Sequence, residues 1–365
     1  MRYFVHLFAL LLLTGCLLQA GGGEEKLGAI LPLTGDLAVY GRNIQRGMEL
    51  AVDEINAQGG INGKMLKVIY EDDGGRSVNT ISAMNKLLDL DRVPAVIGAV
   101  TSSNSLAIAP IAVERGVVMI SPTSTSPKLA GFQDYVFRVI ASDRLQGVKL
   151  AEVALSMGYK EAAVFYINND YGLGLKDAFV EAYKQKGGKV LLAESHEEGS
   201  KDFRTELTKI KGSGAKAVVV VGYSKEASIF LRQGKELGLG VQWIASEGLK
   251  TGELIDLAGD ATEGMVATYP GSTAGSRVYG SFREAYFNRY NEEPPIFSDY
   301  GYDALKVLAM AIRDGGYDPK GIKDALRELR YEGATGTKAF DERGDIPYDL
   351  VSYDVWAVRG GKWAR

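Results

Sequence analysis

The chain has almost none of the side chains that most enzymes work with. Its 365 residues include one cysteine and two histidines. Cys16 lies near the N-terminus, so no intramolecular disulfide can form and no thiol remains as a nucleophile. His6 lies in the apolar N-terminal run. His196, in the charged stretch ESHEEGSKD, reads as a surface residue. There is no HExxH and no paired Cys or His, hence no zinc motif. Neither GxSxG nor a phosphate-binding GxxxxGKS/T occurs, and Gly172-Leu173-Gly174 lacks the third glycine of a dinucleotide loop. Asp72-Asp73 and Asp341-Glu342 read as solvated loop acids, since adjacent side chains on a strand end point apart. These absences predict no catalytic residue, no metal and no cofactor, and so not an enzyme. Basic residues number 42 and acidic 46, for a net charge of −4. No basic tract is long enough for a nucleic-acid surface. No run is apolar enough to span a bilayer.

The N-terminus differs in kind from the rest. Met1 and Arg2 precede a mostly apolar run, Tyr3 to Leu13, of signal-peptide length. It ends in Leu13-Thr14-Gly15-Cys16, which resembles the lipobox of prokaryotic lipoproteins. Residues 1–15 are therefore expected to be a signal peptide and Cys16 the lipid attachment. The Gly-rich, acidic stretch 16–25 would be a flexible tether. Such a chain sits outside the cytoplasm, held to a membrane by its lipid alone.

From Lys26 the pattern alternates. Short apolar runs (KLGAIL, MLKVIY, VPAVIGAV, VVMI) are separated by segments with helical spacing, such as Arg42–Gln58 and Ser102–Arg115. After Arg138 a second such series begins (AAVFYI, KVLLAES, KAVVVVG, VQWIAS, GMVATY), with helices expected from Gly174, Phe203 and Glu226. Strand–helix alternation predicts parallel sheets flanked by helices. Two series predict two α/β lobes. Three further helices, near 276–290, 299–313 and 320–329, have little strand between them and are expected to cover the first sheet. The expected division is 26–140 plus 270–349 for the N-terminal lobe and 141–269 plus 350–365 for the C-terminal lobe.

Hydroxyl and acidic groups gather at the ends of these strands. Ser102, Ser103, Thr123, Ser124 and Thr125 follow two strands of the first lobe. Tyr171, Tyr223 and Glu247 follow strands of the second. Open α/β sheets bind ligands at that edge. Ser102 would stand at a helix N-terminus, which favours an anion, although a plain N-cap role also accounts for it. Glu247 in a cleft would need a cation, although a solvated loop glutamate also accounts for it. Together they would describe a clamp for an α-amino acid.

The motifs GAILPLTGDLAVYG, AVDEINAQGGINGKMLKVIYEDD, VIGAVTSS, ISPTSTSP, NNDYGLG and WIASEG stand in order along the chain. With them the sequence resembles the leucine/isoleucine/valine-binding proteins, solute-binding components of ABC importers with the type I periplasmic-binding fold. The resemblance covers nearly all of Lys26 to Arg365. It implies two lobes joined by three crossovers, closing like a flytrap around an amino acid. It implies that Ser102 binds the ligand carboxylate, that Thr123 offers its carbonyl, and that Thr125 contacts both ends. Tyr171 and Tyr223 would close from the other lobe, Glu247 would bind the ammonium, and Tyr40 would line the side-chain pocket with Ala99 and Val100. The implied partners are a small amino acid and a membrane permease, and the protein would be a monomer. A ligand-sensing module of the same fold is the alternative. The chain departs from the pattern at Thr123, where alanine is common. It also lacks a cysteine pair found in some members, with Thr101 and Asp73-Gly74 in its place.

Overall fold

The structure, a computed structural model, describes residues 23–132, 134–271 and 276–365. The readings of residues 1–15 as a signal peptide and of Cys16 as a lipid site lie outside the described residues.

Two sheets organise the chain. The first contains β1 (Glu24–Leu31), β2 (Met65–Asp72), β3 (Ala95–Ile97), β4 (Val118–Ser121) and β5 (Val136–Arg138), in the order β2-β1-β3-β4-β5 and wholly parallel. The second repeats that order with β6 (Glu161–Ile167), β7 (Lys189–His196), β8 (Ala217–Val221), β9 (Gln242–Ala245) and β10 (Val266–Pro270), running β7-β6-β8-β9-β10. A hairpin of β11 (Tyr331–Gly333) and β12 (Gly336–Lys338) follows. Then β13 (Tyr353–Arg359) and β14 (Lys362–Ala364) extend the second sheet beyond β10 as antiparallel strands. Buried β-branched runs explain the central strands: every residue of β8, AVVVV, is buried.

Helices cover both faces of each sheet. On the first, α1 (Ala38–Ala57) lies on one face, and α2 (Ser77–Asp89) and α3 (Ser102–Arg115) lie on the other. On the second, α4 (Asp143–Ser156) and α5 (Asp170–Gln185) pack opposite α6 (Arg204–Ser213), α7 (Ser224–Glu236) and α8 (Gly252–Ala258). The chain then returns. Phe282 of α9 (Arg277–Tyr290), Leu305 of α10 (Ser298–Gly315) and Ile322 of α11 (Pro319–Glu328) join the core under α1. The chain thus passes between lobes after β5, after β10 and before β13. Backbone bonds tie these strands together, Arg138 N–H to Gly344 O at 3.0 Å and Gly271 N–H to Ser352 O at 2.9 Å.

Several details differ from the sequence reading. Glu24 and Glu25, read as the end of the tether, open β1 instead, with Glu25 buried 3.3 Å from the Lys64 ammonium. The strands β5, β11 and β14 were not anticipated, because three residues are too few to show a period. His196 is buried, stacked on Phe165 at 4.8 Å, and burial lowers its pKa. Asp73 is also buried. It accepts from Thr80, Asn104 and the Gly75 N–H.

Candidate ligand-binding site

Because both sheets have the same strand order, each has its switch point beside its first strand, between β1 and β3 and between β6 and β8. The C-terminal ends of these strands face each other across one cleft. Ser102, Thr123 and Tyr40 line it from the first lobe, and Tyr171, Tyr223 and Glu247 from the second. Thr125 is not on the surface of the cleft. It lies just behind, buried.

Helix starts aim the two opposed tyrosines. Tyr40 and Tyr171 each stand in the first turn of the helix that follows the first strand of their lobe, and each precedes a glycine. A Cβ on Gly41 would lie 2.1 Å from Pro32 O, and one on Gly172 would lie 1.9 Å from Ile167 O. Only glycine lets these turns rest on the strand end. The helices expected from Arg42 and Gly174 begin four residues earlier, at Ala38 and Asp170. Asn169, whose side chain caps α5 by accepting from Gly172 N–H at 3.0 Å, was the overlooked signal. Replacing Gly172 with alanine is expected to displace Tyr171 and weaken ligand affinity at least tenfold, measurable by calorimetric titration.

Most hydroxyls of the first lobe are committed. Ser121 Oγ donates to Ala99 O at 2.7 Å, Thr123 Oγ1 to Val100 O at 2.8 Å, and Ser124 and Ser105 pair at 2.7 Å. Thr101, not Ser102, caps α3. Ser102 Oγ accepts from Ser126 N–H at 3.1 Å, which leaves its proton to give. The Thr125 hydroxyl is buried without a hydrogen-bond partner. Arg138 fixes this loop. Its Nη1 reaches Ser124 O and Ser126 O, while Nε and Nη2 grip Asp345 at 2.6 and 2.8 Å.

The far side is acidic and aromatic. Glu247 is 3% exposed and no salt bridge neutralises it among the described residues. Its Oε2 lies 3.0 Å from the Tyr171 hydroxyl. Burial raises its carboxyl to about 7, against the opposing effect of that hydrogen bond. Behind it lies a second acid, Asp143, the first residue of α4. It is fully buried beside the Thr125 hydroxyl, with neither oxygen completing a hydrogen bond. Burial, then the Glu247 charge, pushes Asp143 well above the usual carboxylate range. Tyr171 and Tyr223 stack at 5.7 Å, and Tyr40 packs 5.9 Å from Tyr223 and 6.0 Å from Phe297. The site therefore offers hydroxyl and helix N–H donors at one end, an unneutralised carboxylate at the other and an aromatic wall between them.

Residues 24–354 match the model of a family described as periplasmic binding protein. The chain belongs to the periplasmic binding protein family. It is 33% identical over 336 residues to a leucine-, isoleucine-, valine-, threonine- and alanine-binding protein of Pseudomonas aeruginosa, covering 90% of this chain and 89% of that one. The fold resembles a leucine-binding protein of Thermotoga maritima with a TM-score of 0.88 at 31% identity, covering 93% and 97% of the two chains. It also resembles a branched-chain amino acid transporter substrate-binding protein of Streptococcus pneumoniae, solved with isoleucine, with a TM-score of 0.87 at 31% identity over 94% and 98%.

In this periplasmic binding protein Phe297, in the cleft, and Asp143, behind it, are marked by no local pattern. Phe297 reaches the cleft from the loop before α10, nearly fifty residues beyond Gly248. Asp143 begins a helix, where an acid is ordinarily explained by the helix dipole. Val100 lines the cleft as expected. Ala99 does not, and its carbonyl instead accepts from Ser105 and Ser121.

Proposed function

We propose that this protein captures an amino acid with a branched-chain or other apolar side chain between its lobes and delivers it to the permease of an ABC importer. The observation that carries this reading is the pairing of the Ser102 hydroxyl, whose proton is unspent, with an unneutralised buried Glu247 across the cleft. A buried carboxylate needs a cation, and a ligand ammonium supplies one. The ligand carboxylate would take the Ser102 hydroxyl and the N–H groups that open α3. Thr123 would offer its carbonyl to the ammonium, and Thr125 would reach both ends. Tyr171 and Tyr223 would close over the backbone of the ligand, and Tyr40, Phe297 and Val100 would hold its side chain. In this reading the protein works outside the cytoplasm as a monomer, anchored through a lipid on Cys16, and catalyses no reaction.

A thermal-shift screen over the amino acids tests this reading, because a ligand that binds only the native state raises its stability. Leucine, isoleucine or valine is expected to raise the midpoint, and no shift with any amino acid would overturn the proposal. Affinity is also expected to depend on pH. Burial pushes the Glu247 carboxyl up to about 7, and its protonated form cannot balance an ammonium. Affinity should therefore fall as pH drops below about 7, by up to tenfold per unit, and level off above about 8. Dissociation constants measured from pH 5.5 to 8.5 check this, and a flat profile would contradict it.

A further inference from the structure

Tyr40 is a first-lobe residue held by second-lobe atoms. Its hydroxyl donates to Gly248 O at 2.8 Å and accepts from Ser224 N–H at 3.1 Å, with Ser224 Oγ 3.0 Å away. Ser224 Oγ pairs in turn with Thr251 Oγ1 at 2.7 Å, and that oxygen caps α8 by accepting from Leu254 N–H at 2.9 Å. Ser224 and Thr251 are buried and neither lines the cleft, whereas the Tyr40 ring does. The wall of the side-chain pocket is therefore finished only when the lobes meet. When they separate, the Tyr40 hydroxyl loses these partners and the ring loses its anchor.

Resting on the amino-acid reading above, we infer that Ser224 and the Gly248 carbonyl act through Tyr40 as a size filter that operates at closure. A ligand side chain that fits leaves the Tyr40 ring in place, and the lobes close with each of these polar groups paired. A side chain that is too long displaces the ring. Closure then buries the Ser224 N–H and the Gly248 carbonyl without partners, which costs more than the steric contact alone. Ser224 is thus a positioning residue for selectivity, acting without touching the ligand.

The test compares valine and phenylalanine by calorimetric titration of the wild-type protein, Tyr40→Phe and Ser224→Ala. The quantity read is the ratio of the phenylalanine to the valine dissociation constant. Tyr40→Phe keeps the ring and removes the hydroxyl, so the polar groups go unpaired with either ligand. Its ratio is expected to fall at least about fivefold, with valine binding itself weakened. Ser224→Ala leaves the cleft surface untouched and removes one of the anchoring groups. Its ratio should fall by a smaller factor, and because Ser224 does not line the cleft, that fall is transmitted through Tyr40. A purely structural role would weaken both ligands equally. Ratios unchanged in both variants would overturn the filter while leaving the amino-acid reading intact. Failure of the wild type to bind any amino acid would instead overturn that reading, and this inference with it.

Discussion

Replacing Glu247 with alanine is expected to weaken amino-acid binding by about 2–5 kcal/mol, because the ligand ammonium would be buried with its principal counter-charge gone. That corresponds to a rise of roughly 30- to 5,000-fold in dissociation constant. Glu247 is buried and lacks a cationic partner among the described residues, and no other described residue would replace the lost charge. Asp143 stands behind it, yet its burial favours the neutral form even with Glu247 gone. Calorimetric titration measures the effect. Unchanged affinity would sink the assignment of the ammonium to Glu247.

The second large effect is expected at Arg138, which does not line the cleft. Its guanidinium is 1% exposed and paired in bidentate fashion with Asp345, which is itself buried. Arg138→Ala leaves that carboxylate without a counter-charge, a loss of about 3–5 kcal/mol in stability. It also releases the Ser124 and Ser126 carbonyls on either side of Thr125, so affinity should fall in whatever protein remains folded. Replacing the pair together, with Arg138→Met and Asp345→Leu, should cost much less than the single change, because no buried charge is stranded. Denaturant unfolding of the three proteins decides the matter. A loss below about 1 kcal/mol in Arg138→Ala would contradict the role given to the pair.

The fold was legible because its strands are short buried apolar runs with helices between them, a pattern that sequence displays directly. Most of the candidate site was legible for a related reason: in a parallel sheet the residues after each strand fall on one edge, so Ser102, Thr123, Tyr171, Tyr223 and Glu247 could be gathered without knowing any distance. What stayed hidden depends on contacts between segments far apart in the chain. Gly41 and Gly172 argue against a helix by propensity, yet each is required by a carbonyl of the preceding strand. His196 and Asp73 stand among polar neighbours in sequence, but tertiary packing buries both. Phe297 enters the cleft from a loop with no strand before it. The Arg138–Asp345 pair spans more than two hundred residues, and neither partner is marked by a motif.

The same geometry makes closure and recognition a single event. Tyr40 bonds to the second lobe, Asp170 accepts from Ser103 at 3.0 Å and Lys128 at 2.7 Å, and Lys225 reaches Asp36 at 2.8 Å. These contacts exist only with the lobes together. A ligand that engages both lobes shifts the population towards that form by the contacts it gains there.

The most direct test compares leucine, isoleucine and valine with the same molecules lacking the amino group. Each analogue keeps the carboxylate and the side chain, and only the ammonium is missing. Titrated into the protein at pH 8, at least one of the three amino acids is expected to bind one-to-one, and its des-amino analogue to show no measurable heat. Equal binding of an amino acid and its analogue would contradict the clamp built on Glu247.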